Sequence, residues 1–430
     1  MTIIQTNDTD FQTVFSDLLN RGKMDMEHVS VIVKGLIDEI RSDKDEALMR
    51  HISKFDRWSP KSGSDLRIDP VEMKNAYDAL EPNLKSALHL AYDRIRAYHE
   101  KQLPKSWFDT EANGTILGQK VTPVDRAGLY IPGGKAAYPS SLLMNVIPAQ
   151  VAGVDEIIVC TPTPDNEPNA LLLAACHLCK VTEVFKVGGA SAIAAMAYGT
   201  QTIPKVDVIT GPGNIFVATA KKMVFGEVNI DMIAGPSEIG VLADESANAR
   251  HIAIDLLSQA EHDEMASSIL ITTSQAVADQ CVIEIETWLK KLPREAIARK
   301  SIDERAAIII ASTMTEAIDL MNQIAPEHLE VVTVNPFELL PSIKHAGAIF
   351  LGPNTPEAIG DYIAGPNHTL PTGGTARFYS PLGVENFMKK SSIIAFSAQA
   401  IREIGEACAL IANTEGLGAH EASVRCRLES

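Results

Sequence analysis

The chain has few cysteines and no long apolar run. Its 6 cysteines in 430 residues are too dilute for a disulfide scaffold, which indicates a reducing compartment. No stretch approaches the roughly 20 consecutive apolar residues of a membrane-spanning helix, and the first residues lack the basic and apolar segments of a secretory signal. We therefore expect a cytoplasmic protein that does not span a membrane.

The chain also has fewer positively than negatively charged residues. The sequence contains 38 Lys and Arg against 55 Asp and Glu, a formal net charge of -17. Such a chain is repelled overall by nucleic acid and by anionic membrane surfaces, so neither is an expected partner. Hydrophobic residues at 46% and charged residues at 22% are ordinary for a globular protein, and a length of about three typical domains predicts more than one core.

One pair of cysteines has the spacing of a redox or zinc motif. Cys176 and Cys179 form a C-x-x-C pattern, but no second pair accompanies them in the sequence. Both lie in an apolar segment, residues 169–181, that has the pattern of a helix, where closely spaced cysteines usually serve as small core residues. We interpret them as core residues.

The spacing of apolar residues divides the chain into helical and mixed regions. Residues 24–105 carry apolar positions at helical spacing, and the pattern is helical again after Ser380. From about residue 119, short β-branched runs alternate with helix-length connections, which is typical of βαβ units and parallel sheets. The runs lie at 156–160, 183–187, 206–210, 268–272, 306–311, 330–334 and 348–351. Because they fall into two groups on either side of residues 234–237, we predict an α/β fold with two sheet domains in series.

Two glycine-rich turns invite comparison with phosphate-binding loops. Residues 128–135 fail the Walker A spacing because Lys135 is one position late and is followed by Ala136. Residues 211–216 follow a predicted strand and precede a predicted helix, as a dinucleotide-binding turn does, but Phe216 replaces its third glycine. A nucleotide could still contact the free N–H groups of that helix N-terminus, although spacing alone favours a simple turn.

Four polar clusters in the second half of the chain contain a histidine close to a carboxylate or an amide. Taken one at a time, each is weak evidence, because short motifs often mark only an exposed helix end or a turn. Together they place histidines at element junctions and loops, where functional sites usually lie. The clusters are Gln259 with His262, Glu327 with His328, Asp361 with His368, and Glu415 with His420.

Several long motifs, in order along most of the chain, resemble those of the histidinol dehydrogenase family. They lie at residues 124–134, 211–214, 234–238, 257–262, 326–330, 360–362, 367–368 and 415–420. The resemblance implies a zinc-containing homodimer that uses two NAD in succession to oxidise L-histidinol to L-histidinal and then to L-histidine. It implies two Rossmann-like, doubly wound parallel-sheet domains in tandem, with a helical N-terminal region and a C-terminal helical tail.

The resemblance also suggests domain boundaries. The prediction is an N-terminal arm at 1–27, a first α/β domain at 28–128 with 237–379, and a second, NAD-associated Rossmann-like domain at 129–236. A helical arm at 380–430 completes the chain. In the family this tail reaches the site of the partner subunit, so we expect an active site that is completed only in the dimer.

Roles for individual residues follow from the matching positions. The implied zinc ligands are Gln259, His262, Asp361 and His420, a set of two imidazoles and two oxygen donors that zinc accepts. The implied substrate contacts are these four with Ser237, His328, His368 and Glu415, and the implied NAD contacts are Tyr130, Ser191 and Asn214. Ser191 stands where the family commonly has glutamine, and its shorter side chain changes the expected contact with NAD.

The residue types fit this chemistry. Removal of hydride from an alcohol needs a base whose pKa is near the working pH, and imidazole meets that need, which makes His328 the predicted base. The second oxidation needs water to add to the aldehyde. Glu327 is predicted to activate that water while His328 again takes a proton. Zinc is expected to position the nitrogen atoms of the substrate.

Two alternatives stay open at this point. A related zinc- and NAD-dependent dehydrogenase would oxidise another polar alcohol, but His368, Glu415 and the neighbours Glu327 and His328 argue against it. A zinc hydrolase would use Glu327 and a metal-bound water to attack an amide or an ester, and it predicts turnover without NAD.

Overall fold

A computed structural model of the chain describes residues 1–20, 26–133 and 138–429. Gly134, Lys135 and Ala136 of the first glycine-rich turn, and Ser430 at the end of the tail, lie outside the described residues. Within the described ranges, no helix is both long enough and apolar enough to cross a membrane.

Helices and strands alternate through these ranges. The strands, numbered in chain order, are β1 Thr2–Gln5, β2 Trp107–Thr110, β3 Ile116–Pro123, β4 Arg126–Tyr130, β5 Glu156–Cys160, β6 Glu183–Phe185, β7 Val208–Thr210, β8 Asn229–Ile230, β9 Glu238–Ala243, β10 Ser267–Thr272, β11 Ala307–Ile310, β12 His328–Val332, β13 Ala348–Leu351 and β14 Met388–Ala395. The helices are α1 Phe11–Asn20, α2 Glu27–Asp43, α3 Asp45–Phe55, α4 Pro70–Asp78, α5 Pro82–His99, α6 Pro139–Ala152, α7 Ala170–Leu178, α8 Gly189–Tyr198, α9 Ile215–Val224, α10 Ala249–Ala260, α11 Gln275–Leu289, α12 Glu295–Arg305, α13 Met314–Ile324, α14 Pro336–Leu339, α15 Glu357–Tyr362, α16 Ala398–Thr414 and α17 Gly418–Leu428.

Strands β4 to β8 form a parallel sheet in the order β6-β5-β4-β7-β8. Its central strand β4 pairs with β5 on one side and with β7 on the other, so the strand order reverses between β4 and β7. Helices α2, α8 and α9 pack together and share one apolar core with the sheet. In doubly wound sheets, ligands bind outside the carboxyl ends of the strands at such a reversal. The second glycine-rich turn, residues 211–214, follows β7 at this place.

A second parallel sheet has the order β1-β11-β10-β9-β12-β13. Strands β9, β10 and β12 are buried along their whole length, because helices cover both faces of a parallel sheet. The N-terminal strand β1 joins the edge of the sheet, where Ile4 pairs with Ile309. The strand order reverses again, here between β9 and β12. The predicted α/β fold with two doubly wound parallel sheets in series is therefore confirmed.

A third sheet is antiparallel and does not follow from the sequence pattern. Strand β3 pairs with β2 on one side and with β14 on the other. β14 lies after Ser380, where the apolar spacing predicts helix. Its residues 389–392 are all exposed, so the strand lacks the apolar alternation that would reveal it. The predicted helical tail follows this strand as α16 and α17.

Residue contacts divide the chain into two compact units. The first consists of Met1–Gln102 and Asp125–Phe387 and contains both parallel sheets, whereas the second consists of Leu103–Val124 and Met388–Ser430 and contains the antiparallel sheet. In the second unit α16 packs closely on α17, where a Cβ on Gly405 would lie 2.7 Å from a methyl group of Leu428. The domain boundaries suggested by the family resemblance stay a prediction.

The C-x-x-C pair belongs to the core. Cys176 and Cys179 are almost completely buried, one in α7 and one directly after it. Burial raises the pKa of the Cys176 thiol to about 12, so the reactive thiolate form is absent at neutral pH. The interpretation of these cysteines as small core residues is confirmed.

Candidate active site

The candidate site lies at the amino end of the second parallel sheet. Two neighbouring strands begin there, β9 at Glu238 and β12 at His328. Helix α13 ends just before Ala325, which has a left-handed backbone with φ of 51° and turns the chain toward the sheet. A helix-to-strand turn therefore delivers Glu327 and His328 to buried positions.

The ring of His328 is held by the backbone of Glu238. Nδ1 lies 3.2 Å from the Glu238 carbonyl oxygen, which can only accept, so Nδ1 carries the proton and the neutral ring presents Nε2 as an acceptor. Nε2 lies 3.4 Å from Oδ1 of Asp361 but makes no hydrogen bond within the described part of the chain. Among the described residues, Nε2 is therefore a buried nitrogen without a hydrogen-bond partner.

The charges around His328 oppose the effect of its burial. Burial lowers the pKa of the imidazole, but the carboxylates of Glu357, Glu327 and Asp361 outweigh it and hold the pKa of His328 well above its usual value. Without a further positive charge nearby, the ring is therefore stabilised in its protonated form.

Glu327 is held by the same backbone. The N–H of Glu238 donates to Oε2 of Glu327 at 2.9 Å, and this oxygen lies 3.7 Å from Nδ1 of His328. Burial raises the pKa of Glu327 to about 7, and the neighbouring imidazole opposes that shift. A carboxyl group with a pKa near neutrality can both take up and release a proton under physiological conditions.

Side chains from two helices meet beside His328. Single donor atoms of His262, Glu357 and Asp361 all lie within 4.8 Å of one another. His262 follows α10, whereas Glu357 and Asp361 are four residues apart on α15 and share one face of that helix. Imidazole and carboxylate groups gathered in this way suit a zinc ion. The sequence analysis missed Glu357, although its spacing from Asp361 was a usable signal.

Gln259, another predicted metal ligand, lies in α10 with its amide against Glu357. The side chain is fully buried. We assign the amide the orientation in which its nitrogen faces Glu357 and donates to the carboxylate, at 3.0 Å to Oε2, because the reverse orientation sets the amide oxygen against two acceptors. The amide oxygen is therefore turned away from Glu357.

His368 and Ser237 are further predicted substrate residues in the first unit. Nδ1 of His368 donates to the backbone oxygen of Asp361 at 2.8 Å, and its Nε2 lies 3.4 Å from Oγ of Ser141. Ser237 is half-buried directly before β9. Asp361 therefore contacts His328 through its side chain and His368 through its backbone.

A cavity of about 920 Å³ opens next to these groups. His328, Asp361 and His368 line one part of it, and Asn229 and Asp231 line another. Because Asp231 directly follows β8, the cavity extends from the amino end of the second sheet to the carboxyl end of this strand in the first. Its volume is in the range of small-molecule and cofactor sites.

The predicted NAD residues lie near the strand reversal of the first sheet. Tyr130 ends β4, and its hydroxyl accepts from the N–H of Gly189 at 3.2 Å. Ser191 is buried in α8, with Oγ 2.8 Å from Nδ1 of His51. Asn214 caps α9, since its side-chain oxygen accepts from two backbone N–H groups of the first turn.

A buried ion pair fixes the turn that leads to Asn214. The ammonium of Lys221 pairs with Asp231 and donates to the carbonyl oxygen of Gly211 at 2.9 Å. The carboxylate of Asp231 accepts from the Gly211 N–H at 2.8 Å. Gly211 has φ of 115°, and a Cβ there would collide with the carbonyl oxygen of Tyr130, so glycine is required.

Glu415 and His420 belong to the second compact unit. Glu415 directly follows α16, and His420 lies in the first turn of α17. Both residues are exposed. They are the predicted site residues that the first unit does not contain.

Comparisons with known proteins identify the family. A family model described as histidinol dehydrogenase matches residues 19–428. The histidinol dehydrogenase of Sulfurimonas denitrificans is 74% identical over 428 residues, which is 100% of both chains, and that of Wolinella succinogenes is 69% identical over 419 residues, which is 97% of both. The crystal structure of histidinol dehydrogenase from Elizabethkingia anophelis matches with a TM-score of 0.94 at 34% identity, covering 100% of this chain and 98% of that one. The chain therefore belongs to the histidinol dehydrogenase family, whose members are NAD-dependent oxidoreductases.

Proposed function

We propose that this chain oxidises L-histidinol to L-histidinal and then to L-histidine, with NAD as the oxidant and zinc in the active site. The observation that carries the proposal is the buried Nε2 of His328, which has no hydrogen-bond partner within the described residues and lies beside Asp361, whose carboxylate is clustered with His262 and Glu357. The zinc- and NAD-dependent oxidation of another alcohol, and zinc-dependent hydrolysis, are the outcomes against which the proposal is tested.

The donor set fits a zinc ion. Gln259, His262 and Asp361 would hold the metal from the first unit, and His420 from the tail would complete the set. Two imidazoles and two oxygen donors agree with the preferences of zinc. Asp361, one of the carboxylates that raise the pKa of His328, belongs to this set, so a bound cation would offset its effect and return the imidazole toward its basic form.

Zinc and NAD have separate tasks. NAD, when bound, supplies the hydride acceptor, and zinc, when bound, supplies a positive charge that fixes the nitrogen atoms of the substrate. Tyr130, Ser191 and Asn214 are the proposed NAD contacts, supported by their location near the strand reversal of the first sheet. The hydroxyl of Ser191 already faces His51, so its contact with NAD uses its remaining hydrogen-bonding capacity.

His328 is the proposed base for both oxidations. With Nδ1–H directed to the Glu238 carbonyl, Nε2 takes the proton from the substrate hydroxyl as the hydride leaves the adjacent carbon. The rigid contact fixes which nitrogen carries the proton, so the ring need not rotate between the two half-reactions. His368, Ser237 and Glu415 are proposed to contact the substrate around this base.

Glu327 is the proposed group that activates water for the second oxidation. The aldehyde must first add water to give a gem-diol, which can then lose hydride from carbon while His328 takes a proton. Oε2 of Glu327 is engaged with Glu238, so Oε1 serves the water. The pKa of about 7, raised by burial, lets this carboxyl group exchange a proton near neutral pH.

A homodimer is proposed to complete the site, with Glu415 and His420 reaching the partner. Support comes from the second unit alone, where large apolar side chains are exposed on α16 and on the antiparallel sheet, a feature of protein interfaces. They are Ile404, Leu410 and Ile411 on the helix, and Phe108 and Ile394 on the strands. The low cysteine content, which is typical of proteins in a reducing compartment, supports a cytoplasmic location.

The reaction is tested with purified full-length protein, L-histidinol and NAD. Formation of two NADH for each L-histidinol consumed is the expected result, with activity lost on chelation and restored by Zn²⁺. A matched reaction without NAD should give no product. Product formation without NAD would indicate the hydrolase, and NADH formation only with a different polar alcohol would indicate the related dehydrogenase.

A further inference from the structure

Glu357 is a buried carboxylate beside the proposed metal ligands that the mechanism above does not use. It is 2% exposed and begins α15, where its N–H donates to Oε1 of Glu330 at 2.7 Å. Its carboxylate accepts from Oγ of Ser258 at 3.4 Å and, with the Gln259 amide turned nitrogen-first, from the amide nitrogen of Gln259. Two consecutive residues of α10, Ser258 and Gln259, therefore form hydrogen bonds with one carboxylate of α15.

An amide side chain has two nearly equivalent orientations, and only one of them directs its oxygen to a metal ion. An ionised carboxylate can only accept hydrogen bonds, so in its ionised form a carboxylate on one side of the amide selects the orientation with the amide nitrogen facing it. In this chain that carboxylate is Glu357, and the Gln259 oxygen faces away from it. Outer-sphere partners of this kind commonly orient the groups that bind metals.

We propose that Glu357 is a positioning residue that fixes the Gln259 amide with its oxygen available to the metal, and that Glu357 is not itself a ligand. This inference rests on the proposed zinc site. The oxygens of Glu357 are occupied by Gln259 and Ser258, whereas Asp361, one turn later on the same helix, leaves its carboxylate toward His328. On α15, Glu357 therefore contacts the Gln259 amide, and Asp361 faces the candidate site.

The test is a double-mutant cycle on Zn²⁺ affinity. Full-length protein is stripped of metal, and Zn²⁺ is titrated in competition with a chromophoric chelator for the wild type, Glu357→Asp, Gln259→Ala and the double variant. Glu357→Asp keeps the negative charge but shortens the side chain, so it releases the amide without removing the electrostatic attraction for the cation. We expect about 10-fold or more weaker Zn²⁺ binding in the wild-type background and less than about 2-fold weakening in the Gln259→Ala background.

The other outcomes have definite meanings. Equal weakening in both backgrounds would make Glu357 a direct ligand, and no weakening in the wild-type background would remove its positioning role, so either result overturns the inference. If Gln259→Ala itself binds Zn²⁺ as tightly as the wild type, the ligand set of the proposed function is wrong, and the inference falls with it.

Two further measurements guard against a purely structural effect. The visible spectrum of the Co²⁺-loaded protein should change in Glu357→Asp and stay unchanged in Glu245→Asp, a matched control at an exposed position. Thermal unfolding of the metal-free proteins should be the same for both. If Glu357→Asp unfolds early, Glu357→Gln replaces it. The loss of charge then affects both backgrounds alike, and the difference between them still measures the coupling through Gln259.

Discussion

The carbonyl oxygen of Glu238 lies 3.2 Å from Nδ1 of His328, across two adjacent strands of the second parallel sheet. The N–H of the same Glu238 holds Glu327 at 2.9 Å. One residue therefore orients both proposed proton-transfer groups through its backbone alone. Because β9 and β12 are buried central strands, this arrangement is as rigid as the sheet itself.

His328→Asn tests the basic nitrogen of His328 separately from its contact with the Glu238 backbone. The asparagine amide can still donate to the Glu238 carbonyl, but it offers no basic nitrogen. We expect both half-reactions to slow by roughly 10²-fold or more, the usual scale of general-base catalysis, with little change in protein stability. NADH formation is measured with L-histidinol and, separately, with L-histidinal as substrate. Near-normal rates with either substrate would contradict the assignment of His328.

Glu327→Gln keeps the size of the side chain and an oxygen that can accept from the Glu238 N–H. It removes only the ability to take a proton from water. Aldehyde oxidation should therefore slow by about 10²-fold, while alcohol oxidation slows far less. The two half-reactions are followed separately under single-turnover conditions. If both slow to the same extent, Glu327 has no special role in the second oxidation.

The sequence predicted the parts of the fold that have local signals. The runs 156–160 and 348–351 became strands with those bounds, because β-branched residues between helix-length connections specify buried parallel strands. The pairing of Ile4 with Ile309 has no local signal, since it joins segments some three hundred residues apart in sequence. The exposed polar strand β14 was also missed, because it shares none of the apolar alternation on which such predictions depend.

The sequence predicted the side chains of the candidate site but not the contacts that orient them. Histidines beside carboxylates are visible in a sequence, and the structure gathers His262, His328 and His368 around Asp361. The contacts by which Glu238 orients His328 and Glu327 use backbone atoms, which have no sequence signature. The rule that ligands lie at the carboxyl ends of parallel strands fits the first sheet, whereas in the second sheet the site lies at the amino ends of β9 and β12.

Asp56 provides a pH-dependent test of stability away from the proposed metal site. It is 9% exposed, and burial raises its pKa to about 6, although Arg57 opposes the shift. A carboxyl group with a raised pKa favours the folded state at low pH, and this contribution is lost as the pH rises from about 4 to about 6. Asp56→Asn should therefore be more stable than the wild type at pH 8, by about 1 to 2 kcal/mol once solvent screening is allowed for.

The measurement is the thermal midpoint of both proteins across this pH range. The advantage of Asp56→Asn should shrink toward pH 4.5. Asp93→Asn, at an exposed position of α5, serves as the control for the substitution itself. A difference between Asp56→Asn and the wild type that does not change with pH would contradict the burial argument.

A chain that ends at Asn413 tests the role of the tail. It lacks Glu415 and His420 but retains the proposed ligands Gln259, His262 and Asp361. We expect it to lose tight Zn²⁺ binding and activity, because one proposed ligand is absent. Zn²⁺ is quantified after dialysis, and the single variant His420→Ala should reproduce the loss of affinity. Full activity of the shortened chain would refute the role of the tail.

Subunit mixing decides whether the tail completes its own site or that of the partner. His328→Asn removes the proposed base in the first unit, and His420→Ala removes the proposed ligand in the tail, so each homodimer is inactive. If the tail crosses, a mixed dimer has one site in which an unchanged His328 meets an unchanged His420 from the other subunit. About half of the dimers are mixed after equal mixing, and each has one intact site of two, so roughly a quarter of wild-type activity should return. If the tail folds back on its own subunit, every site carries one substitution and mixing restores nothing. The activity of the two proteins unfolded and refolded together is compared with that of each refolded alone, so that recovery on mixing reports only the exchange of subunits.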